Sequence, residues 1–412
     1  MGRFTGIIGM FVLLGLALAM SNNRKAINLR LVGWGLGLQL IFALFILKSP
    51  IGQPFFGLVD KLIRQLLAYS DAGSDFLFKS FSGGVVEAPL LNFAFRVLPT
   101  IIFFSSLMAL MYHLGIMQRA IKGIARIMQR TMGTSGAETL SVSANIFVGQ
   151  TEAPLMVRPF IEGMTRSELT AVMVGGYATV AGGVMAIYVK MLPDVPGIAG
   201  HLMAASIMSA PAALVMAKII YPETEKPQTL GELKISVKKV DDNAMEALAR
   251  GATDGLKLAA NVGAMLIAFV AMVALINGVL GLAGGVLGLD GLTLQGILGY
   301  IFSPLAWTMG VPWSDAHMLG TLMGEKLVLT ELIAYGDLGV LRAENAISDR
   351  AAIIASYALC GFANFASIGI QLGGIGGIAP SRRKDLAKIV FKAMLGGALA
   401  SWLTASLAGI LI

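Results

Sequence analysis

The sequence has a single cysteine, Cys360, so no disulfide can form within the chain. Its three histidines, His113, His201 and His317, are far apart and show none of the spacings of a metal site, which argues against a metalloenzyme. No phosphate-cradling sequence of the P-loop type is present, so ATP hydrolysis has no evident site. Charged residues make up only 13% of the 412 residues. These absences exclude disulfide scaffolds and disfavour metal- or ATP-driven chemistry.

Apolar residues, in contrast, make up 56% of the chain, and the mean hydropathy is +0.77. Such a composition is typical of an all-α polytopic membrane protein rather than of a soluble domain. A helix of about 20 residues crosses the hydrocarbon layer. The sequence predicts eight transmembrane helices, near residues 4–21, 28–48, 93–115, 168–190, 200–220, 258–283, 350–372 and 389–411.

Two segments interrupt this pattern with Thr-Glu pairs, Thr151-Glu152 and Thr330-Glu331. An ionisable side chain at membrane depth costs about 2.5–3.5 kcal/mol on insertion scales, so the two glutamates mark a functional site. The segments that contain them, 135–163 and 300–336, have apolar halves too short to cross and a polar centre. They are predicted to be two opposed re-entrant helical hairpins whose tips lie near mid-membrane.

Three further stretches, 54–69, 116–132 and 232–250, are amphipathic and are predicted to be three interfacial helices, with a solvated linker as the alternative. Basic residues cluster between the spans and fix the orientation. The clusters are Arg24, Lys25 and Arg30; Arg119, Lys122, Arg126 and Arg130; Lys234, Lys238 and Lys239; and Arg382, Arg383 and Lys384. These clusters lie on one side of the membrane if each hairpin leaves the membrane on the same side that it entered. That face is predicted to be cytoplasmic, with both termini outside.

The order of hairpin, capped helix start, Gly-broken helix and final span occurs twice. The start MTRSEL corresponds to AISDRA, and the broken segment GGYATVAGG at 175–183 corresponds to GFANFASIG at 361–369. We therefore predict an inverted repeat, which indicates a secondary transporter with a mid-membrane site. The predicted domains are scaffold helices in 1–132, a first transport repeat in 133–221, a linker with a scaffold helix in 222–299, and a second transport repeat in 300–412.

Two other classes remain alternatives to a carrier. A membrane-embedded hydrolase is disfavoured because its nearest serine motif, GTSGAE at 133–138, departs from the pattern GxSxG. A channel is disfavoured because the polar groups converge at one depth instead of forming rings along a path. The net charge of +7 is explained by the loops between spans, so nucleic acid is not an expected partner.

Several long strings in the chain closely resemble the concentrative nucleoside transporters. They are FAFRVLPTIIFFSSL (93–107), ANIFVGQTEAPLMVRPF (144–160), PETEKP (222–227), LAANVGAMLIAF (258–269), GVPW (310–313) and CGFANFASI (360–368). The resemblance runs over nearly the whole chain. It implies eight spans, two hairpins and three interfacial helices, a homotrimer in a bacterial inner membrane, and transport of a uridine-like nucleoside without an organic cofactor.

The residue types fit such a substrate, since a nucleoside needs mixed donors and acceptors, a hydroxyl-accepting carboxylate and an apolar surface. The resemblance places Gln150, Thr151 and Glu152 at the base. It places Glu331, Asn364 and Ser367 at the ribose hydroxyls, and an aromatic edge at Phe362. Without the resemblance, Phe362 is equally well explained by core packing.

The same resemblance implies a sodium site. Its ligands are Asn145 and the Val148 carbonyl from the first hairpin, with the Thr179 hydroxyl and the Val180 carbonyl from the broken fourth span. Sodium is a hard cation that prefers such oxygen ligands. A proton-coupled carrier is the alternative, and it would rely on a titrating carboxylate such as Glu152. A carrier for a nucleobase or another small metabolite also remains open.

Overall fold

The computed structural model describes residues 98–230, 241–289 and 291–411, together with Pro50. Apart from Pro50, these residues belong to the second of two compact units, Tyr69–Ile412. Several predictions lie outside the described residues: the spans at 4–21 and 28–48, the interfacial stretch at 54–69, and the basic clusters at Arg24, Lys25 and Arg30 and at Lys234, Lys238 and Lys239.

The described part of the chain is helical. Its helices are α1 (Leu98–His113), α2 (Ile116–Met132), α3 (Gly136–Ala144), α4 (Arg158–Ile161), α5 (Arg166–Ala178), α6 (Gly182–Met191), α7 (Ile198–Ile220), α8 (Ala244–Leu287), α9 (Leu294–Thr308), α10 (Trp313–Val328), α11 (Glu331–Ala343), α12 (Asp349–Leu359), α13 (Phe365–Ile378) and α14 (Arg383–Leu411). Short 3₁₀ turns at Ala153–Val157 and Pro380–Arg382 precede α4 and α14.

Three stretches of these ranges are long and apolar enough to cross a membrane: Arg166–Met191, Ile198–Ile220 and Pro380–Leu411. A fourth candidate, α1 with α2, is bent by 76° at the intervening turn. This composition and architecture are those of a multi-pass helical membrane protein. The number of spans and their orientation stay predictions.

The bend between α1 and α2 separates an apolar helix from an amphipathic one. On α2, one face is buried through Met117, Ile121, Ala125 and Met128, while its arginines are exposed. The predicted amphipathic helix at 116–132 therefore exists with those boundaries. Its position at a membrane surface stays a prediction.

The first hairpin consists of α3, a non-helical stretch and the 3₁₀ turn with α4, so it spans Gly136–Ile161 and is called hairpin 1. It begins with a capping box, because Ser135 accepts from the amide of Glu138 and the Glu138 side chain accepts from the amide of Ser135. The helix α3 ends at Ala144 with Asn145 as its C-cap, and the 3₁₀ turn packs back against α3. The arms agree with the predicted segment 135–163.

The second hairpin differs from its prediction in position. Its arms are α10 and α11, separated at Leu329 and Thr330, so it spans Trp313–Ala343 and is called hairpin 2. Residues 300–308 of the predicted segment 300–336 belong instead to α9, which packs against α10. The turn at Met309–Pro312 contains Gly310 at φ +92° and Pro312, and these residues end α9 before the hairpin starts.

Two helices are broken, as the glycine patterns predict. The first is α5 with α6, interrupted at 179–181, and the second is α12 with α13, interrupted at 360–364. Thr165 and Ser348 cap the starts of α5 and α12 with their side chains, which confirms the paired helix starts. The breaks cross closely: Gly361 has φ +122°, and a Cβ there would lie 2.6 Å from the Tyr177 carbonyl oxygen. Only glycine fits that crossing without strain.

The long helix α8 also departs from the prediction. The sequence predicts an interfacial helix at 232–250 that is separate from a span at 258–283, but α8 runs without a break from Ala244 to Leu287. Gly251 and Gly255 do not interrupt it; they let it approach α1, since a Cβ on either would lie 2.7 Å from α1 backbone atoms. Residues 232–240 lie outside the described ranges.

Candidate functional site

The tips of both hairpins and the breaks of both broken helices surround one cavity of about 180 Å³. Leu258 and Val262 of α8 contribute an apolar wall. Its other lining residues are Gly149, Gln150, Thr151, Glu152, Ala181, Val184, Ile187, Tyr188, Thr330, Glu331, Leu332, Phe362, Asn364, Ser367 and Ile370. A concave site with an apolar wall and a few convergent polar groups is the usual form of a small-molecule site.

All seven residues predicted to contact substrate lie on this cavity: Gln150, Thr151, Glu152, Glu331, Phe362, Asn364 and Ser367. They come from positions up to 217 residues apart in the chain. Four of them, Gln150, Glu331, Asn364 and Ser367, are buried, while Thr151 and Phe362 are half-buried and Glu152 is exposed. The structure thus brings these side chains together, and what each one binds stays a prediction.

The Glu331 carboxylate is held from two sides. Tyr188 donates its hydroxyl to Oε1 at 2.9 Å, and Asn364 donates Nδ2 to Oε2 at 2.8 Å. Glu331 is also the first residue of α11, where the helix dipole favours a negative charge. Hydrogen bonds to an ionised acceptor are stronger than neutral ones, so the carboxylate is fixed before any ligand arrives.

Asn364 is itself oriented by the helix that it starts. Its Oδ1 accepts from the backbone amide of Ser367 at 2.8 Å, which is the N-cap of α13. Because the oxygen serves the cap, the amide nitrogen points to Glu331. The break in the second broken helix therefore fixes a donor beside the carboxylate.

Gln150 joins the two halves of the chain. Its Nε2 donates to Ser367 Oγ at 3.1 Å, and its Oε1 accepts from Gln371 Nε2 at 3.1 Å. Gln371 is fully buried and also donates to the Met173 carbonyl of α5 at 3.1 Å. The tip of hairpin 1 is thus held against α13 by side-chain amides with a defined orientation.

The remaining predicted substrate residues surround the same tip. The Glu152 carboxylate lies over Gly149, because a Cβ on Gly149 would come within 2.2 Å of Oε2. The Thr151 methyl packs against Gly374 of α13, where a Cβ would lie 2.9 Å away. The Glu152 carboxylate can move away from Gly149, but the Thr151 methyl lies closely against Gly374, so the tip is fitted to α13 on that side.

The four residues predicted to hold sodium lie where hairpin 1 meets the break between α5 and α6. The amide of Gly182 donates to the Phe147 carbonyl at 3.1 Å and connects the two elements. Asn145 is 1% exposed, and its Nδ2 donates to Ser141 O at 3.1 Å. Within the described ranges its Oδ1 accepts from no donor, although it is buried.

Thr179 has the same character. Its hydroxyl donates to Gly175 O at 2.9 Å, which leaves the oxygen lone pairs for another partner. The Val180 amide lies 3.5 Å from Ser206 Oγ of α7, which fixes the backbone at the break. Buried neutral oxygens that have no donor suit a hard cation such as sodium.

Two residues of the site escape a sequence-based prediction. Tyr188 lies in an apolar run of the first broken helix, and Gln371 lies one turn after Ser367 on α13. The signal available for each is a lone polar side chain within an apolar helix. Their partners, Glu331 and Gln150, are 143 and 221 residues away, and no spacing in the sequence indicates such pairings.

Comparison with protein-family models gives three matches that together run along most of the chain. Residues 201–409 match "Na+ dependent nucleoside transporter C-terminus", residues 8–81 match "Na+ dependent nucleoside transporter N-terminus", and residues 94–194 match "Nucleoside recognition". The cavity residues lie within the regions 94–194 and 201–409.

Individual proteins show the same relationship. An uncharacterized transporter of Haemophilus influenzae is 45% identical over 419 residues, covering 100% of this chain and 98% of that protein. Human sodium/nucleoside cotransporter 1 is 42% identical over 424 residues, covering 99% of this chain and 64% of that protein.

Solved structures of CNTnw agree in fold. The inward-facing, substrate-bound state is 46% identical with a TM-score of 0.72, and it covers 100% of this chain and 98% of that one. A doubly substituted variant in an outward-facing state is 45% identical with a TM-score of 0.71, covering 98% and 96%.

Proposed function

The chain belongs to the family of Na+-dependent, or concentrative, nucleoside transporters, and from this premise we propose that it is a sodium-coupled symporter that imports nucleosides by alternating access. The family consists of transporters, so the chain is a multi-pass membrane carrier and not an enzyme. The proposed location is a bacterial inner membrane with both termini outside. The proposed assembly is a homotrimer.

The observation that carries the proposal is the arrangement around Glu331. A carboxylate already fixed by Tyr188 and Asn364 at the wall of a cavity is suited to accept hydrogen bonds from two vicinal hydroxyls. Each carboxylate oxygen has a further lone pair for this purpose. Ribose therefore binds at Glu331, Asn364 and Ser367, and a uridine-like nucleoside is the proposed substrate.

The base then lies toward hairpin 1. Gln150 offers both a donor and an acceptor, and Gln371 and Ser367 hold its amide in one orientation. Thr151 and Glu152 add a hydroxyl and a carboxylate that reach the base directly or through water. Phe362 on the cavity wall, with Leu258 and Val262 of α8, provides apolar contact for the rings.

Sodium is the proposed coupling ion. It is a transported cation held by Asn145, the Val148 carbonyl, Thr179 and the Val180 carbonyl. The buried Oδ1 of Asn145 and the lone pairs of Thr179 support this choice, because they suit a cation and require no change of protonation.

Coupling follows from the position of that ion. Sodium draws hairpin 1 onto the break between α5 and α6, and Gln150 lies on the same non-helical stretch as Asn145. Ion binding thus completes the base site and raises nucleoside affinity. By linkage, the nucleoside raises sodium affinity by the same factor.

Alternating access would then move the unit that contains both hairpins and both broken helices. The proposed fixed scaffold includes α1 and α8, which pack closely against each other. Inward-facing and outward-facing structures of CNTnw, at 45–46% identity, support such a mechanism.

Uptake into proteoliposomes tests the proposal. Labelled uridine should accumulate when an inward sodium gradient is imposed, and unlabelled cytidine or adenosine should compete if the site accepts other nucleosides. Glu331→Gln should abolish ribose-dependent uptake, whereas Glu344→Gln, on the exposed end of the same helix, should leave it unchanged.

Three results would contradict it. Uptake driven by a proton gradient alone would show that the coupling ion is the proton and not sodium. Uptake of uracil as efficient as that of uridine would remove the ribose from recognition. Flux that does not saturate and runs only down the gradient would indicate a channel.

A further inference from the structure

Lys326 is a fully buried lysine that does not line the cavity. Its side chain is 0% exposed, and its ammonium donates to the Ala358 carbonyl at 2.9 Å and to Ser401 Oγ at 2.7 Å. Among the described residues, no carboxylate lies within ion-pair distance of it. An ammonium buried in this way is costly, so its position calls for a physical reason.

The reason lies at the end of α12. Ala358 is the last residue but one of that helix, and the last carbonyls of a helix have no intrahelical partner. They also carry the negative end of the helix dipole, which favours a cation. Lys326 belongs to α10, and Ser401 belongs to α14. One ammonium therefore connects hairpin 2, the broken helix and the final helix of the second repeat.

The first repeat has matching elements. There α3, the first arm of hairpin 1, ends beside Asn145, and α5 ends beside Thr179. The helix that follows, α7, contributes Ser206, whose hydroxyl lies 3.5 Å from the Val180 amide at the break. The same three kinds of element thus meet at the proposed sodium site.

The serines support the correspondence between the two repeats. Ser209 of α7 and Thr404 of α14 share a hydrogen bond of 3.1 Å, and they are 195 positions apart. Ser206 and Ser401 have the same separation in the sequence. Ser206 and Ser401 thus lie three residues before this pair on α7 and α14, and each hydroxyl lies beside a broken helix, next to the Val180 amide in the first repeat and, through the Lys326 ammonium, next to the Ala358 carbonyl in the second.

We propose that Lys326 is a built-in cation that holds hairpin 2 on the end of α12, in the position where the first repeat offers its oxygens to a dissociable sodium ion. The comparison rests on the proposed sodium site of the first repeat. Hairpin 1 then depends on sodium, whereas hairpin 2 stays tied at any sodium concentration.

Uridine binding to the purified full-length protein in nanodiscs tests this, at saturating sodium and with choline keeping the ionic strength constant. Lys326→Ala should weaken binding by about tenfold or more, because two buried acceptors lose their donor. Methylammonium, a cation small enough for the space left by the side chain, should restore binding, and methanol should not. Lys326→Met, which fills that space without charge, should be equally weak and should not be restored. Lys388→Ala, an exposed lysine on α14, is the matched control.

A purely structural role would lower affinity without any selective rescue by a cation. Binding by Lys326→Ala within about threefold of wild type, or a loss that methylammonium does not restore, would overturn the proposal. If Lys326→Ala does not fold, the proposal is tested with Lys326→Met alone. It should keep the stabilisation of the protein by sodium while losing uridine affinity, and affinity near that of wild type would contradict the proposal.

The wild-type protein gives a further readout that needs no variant. A fixed cation does not exchange, so Lys326 should stay protected from a small amine-reactive reagent both with and without sodium. Labelling that depends on sodium would overturn the proposal. Wild-type binding of uridine that ignores sodium would instead contradict the proposed coupling, so the two failures are distinguishable.

Discussion

Two hydrogen bonds hold the Glu331 carboxylate, and replacing Tyr188 with phenylalanine removes one of them while leaving most other contacts of the side chain in place. The ring of Tyr188 stacks on that of Tyr335 with centroids 4.1 Å apart, and phenylalanine keeps this contact. The lost bond, 2.9 Å long, runs to a buried carboxylate. Hydrogen bonds to charged groups contribute about 1.5–3 kcal/mol, which corresponds to about 10- to 150-fold in an equilibrium constant.

Asn364 still holds the second oxygen of Glu331, so we expect Tyr188→Phe to weaken uridine binding by about tenfold, at the lower end of that range. The lost affinity should come from weaker recognition of the ribose hydroxyls. In wild-type protein, 2′-deoxyuridine and 3′-deoxyuridine should bind far more weakly than uridine, because each leaves a buried acceptor unpaired. In the variant, the carboxylate is free to reorient, and the ratio between uridine and the deoxynucleosides should shrink.

Isothermal titration of the three nucleosides at saturating sodium measures this ratio. Tyr335→Phe is the matched control, since its hydroxyl donates to the Ser356 carbonyl at 2.7 Å and not to Glu331. That variant should lose stability without changing the ratio. If both variants discriminate the sugars equally well, or if Tyr188→Phe binds uridine as the wild type does, the orientation of Glu331 by Tyr188 is not what recognises ribose.

Three other substitutions separate the remaining parts of the account. Asn145→Ala should raise the sodium concentration needed for half-maximal uridine binding by about tenfold or more, measured in choline-balanced buffer, and an unchanged sodium curve would place the ion elsewhere. Gln371→Ala frees the Gln150 amide and should weaken uridine binding by several-fold while changing the ratio of uridine to cytidine affinity in competition assays; an unchanged ratio would contradict the role of that amide. Gly361→Ala should lower the melting temperature by several degrees, because the new Cβ meets the Tyr177 carbonyl at a backbone φ of +122°. Gly373→Ala, which has open space around it, should leave the melting temperature unchanged. Similar melting temperatures for the two variants would show that the breaks do not pack as described.

Local signals in the sequence were sufficient for much of the fold. The capped starts at Thr165 and Ser348, the glycine-broken helices and the polar hairpin tip at Glu331 are all read from short stretches, and the structure confirms the caps and breaks. The caps depend on hydrogen bonds between residues three apart, and the breaks coincide with glycines close together in the chain, so both patterns are visible in the sequence itself.

Other features depend on packing and are not visible in this way. In α8, Gly251 and Gly255 serve close contact with α1, and one long helix replaces a predicted interfacial helix and span. The turn before Trp313 separates α9 from hairpin 2, which the apolar character of both segments conceals.

The candidate site shows the same division. Its seven substrate residues were named from residue chemistry and from resemblance to a family, and all seven lie on one cavity. Tyr188 and Gln371 were missed because their partners are supplied by the other half of the chain. Lys326 was missed because a lysine in a hairpin arm gives no sign of being buried against the end of a distant helix.

The most direct measurement of the central claim is a structure of the protein determined with 5-iodouridine and sodium bound, in which the anomalous signal of iodine marks the base. The account predicts one iodine site in the cavity on the side of Gln150, with the sugar at Glu331. An iodine signal outside the cavity, or a nucleoside bound with its sugar at Gln150 and its base at Glu331, would contradict it.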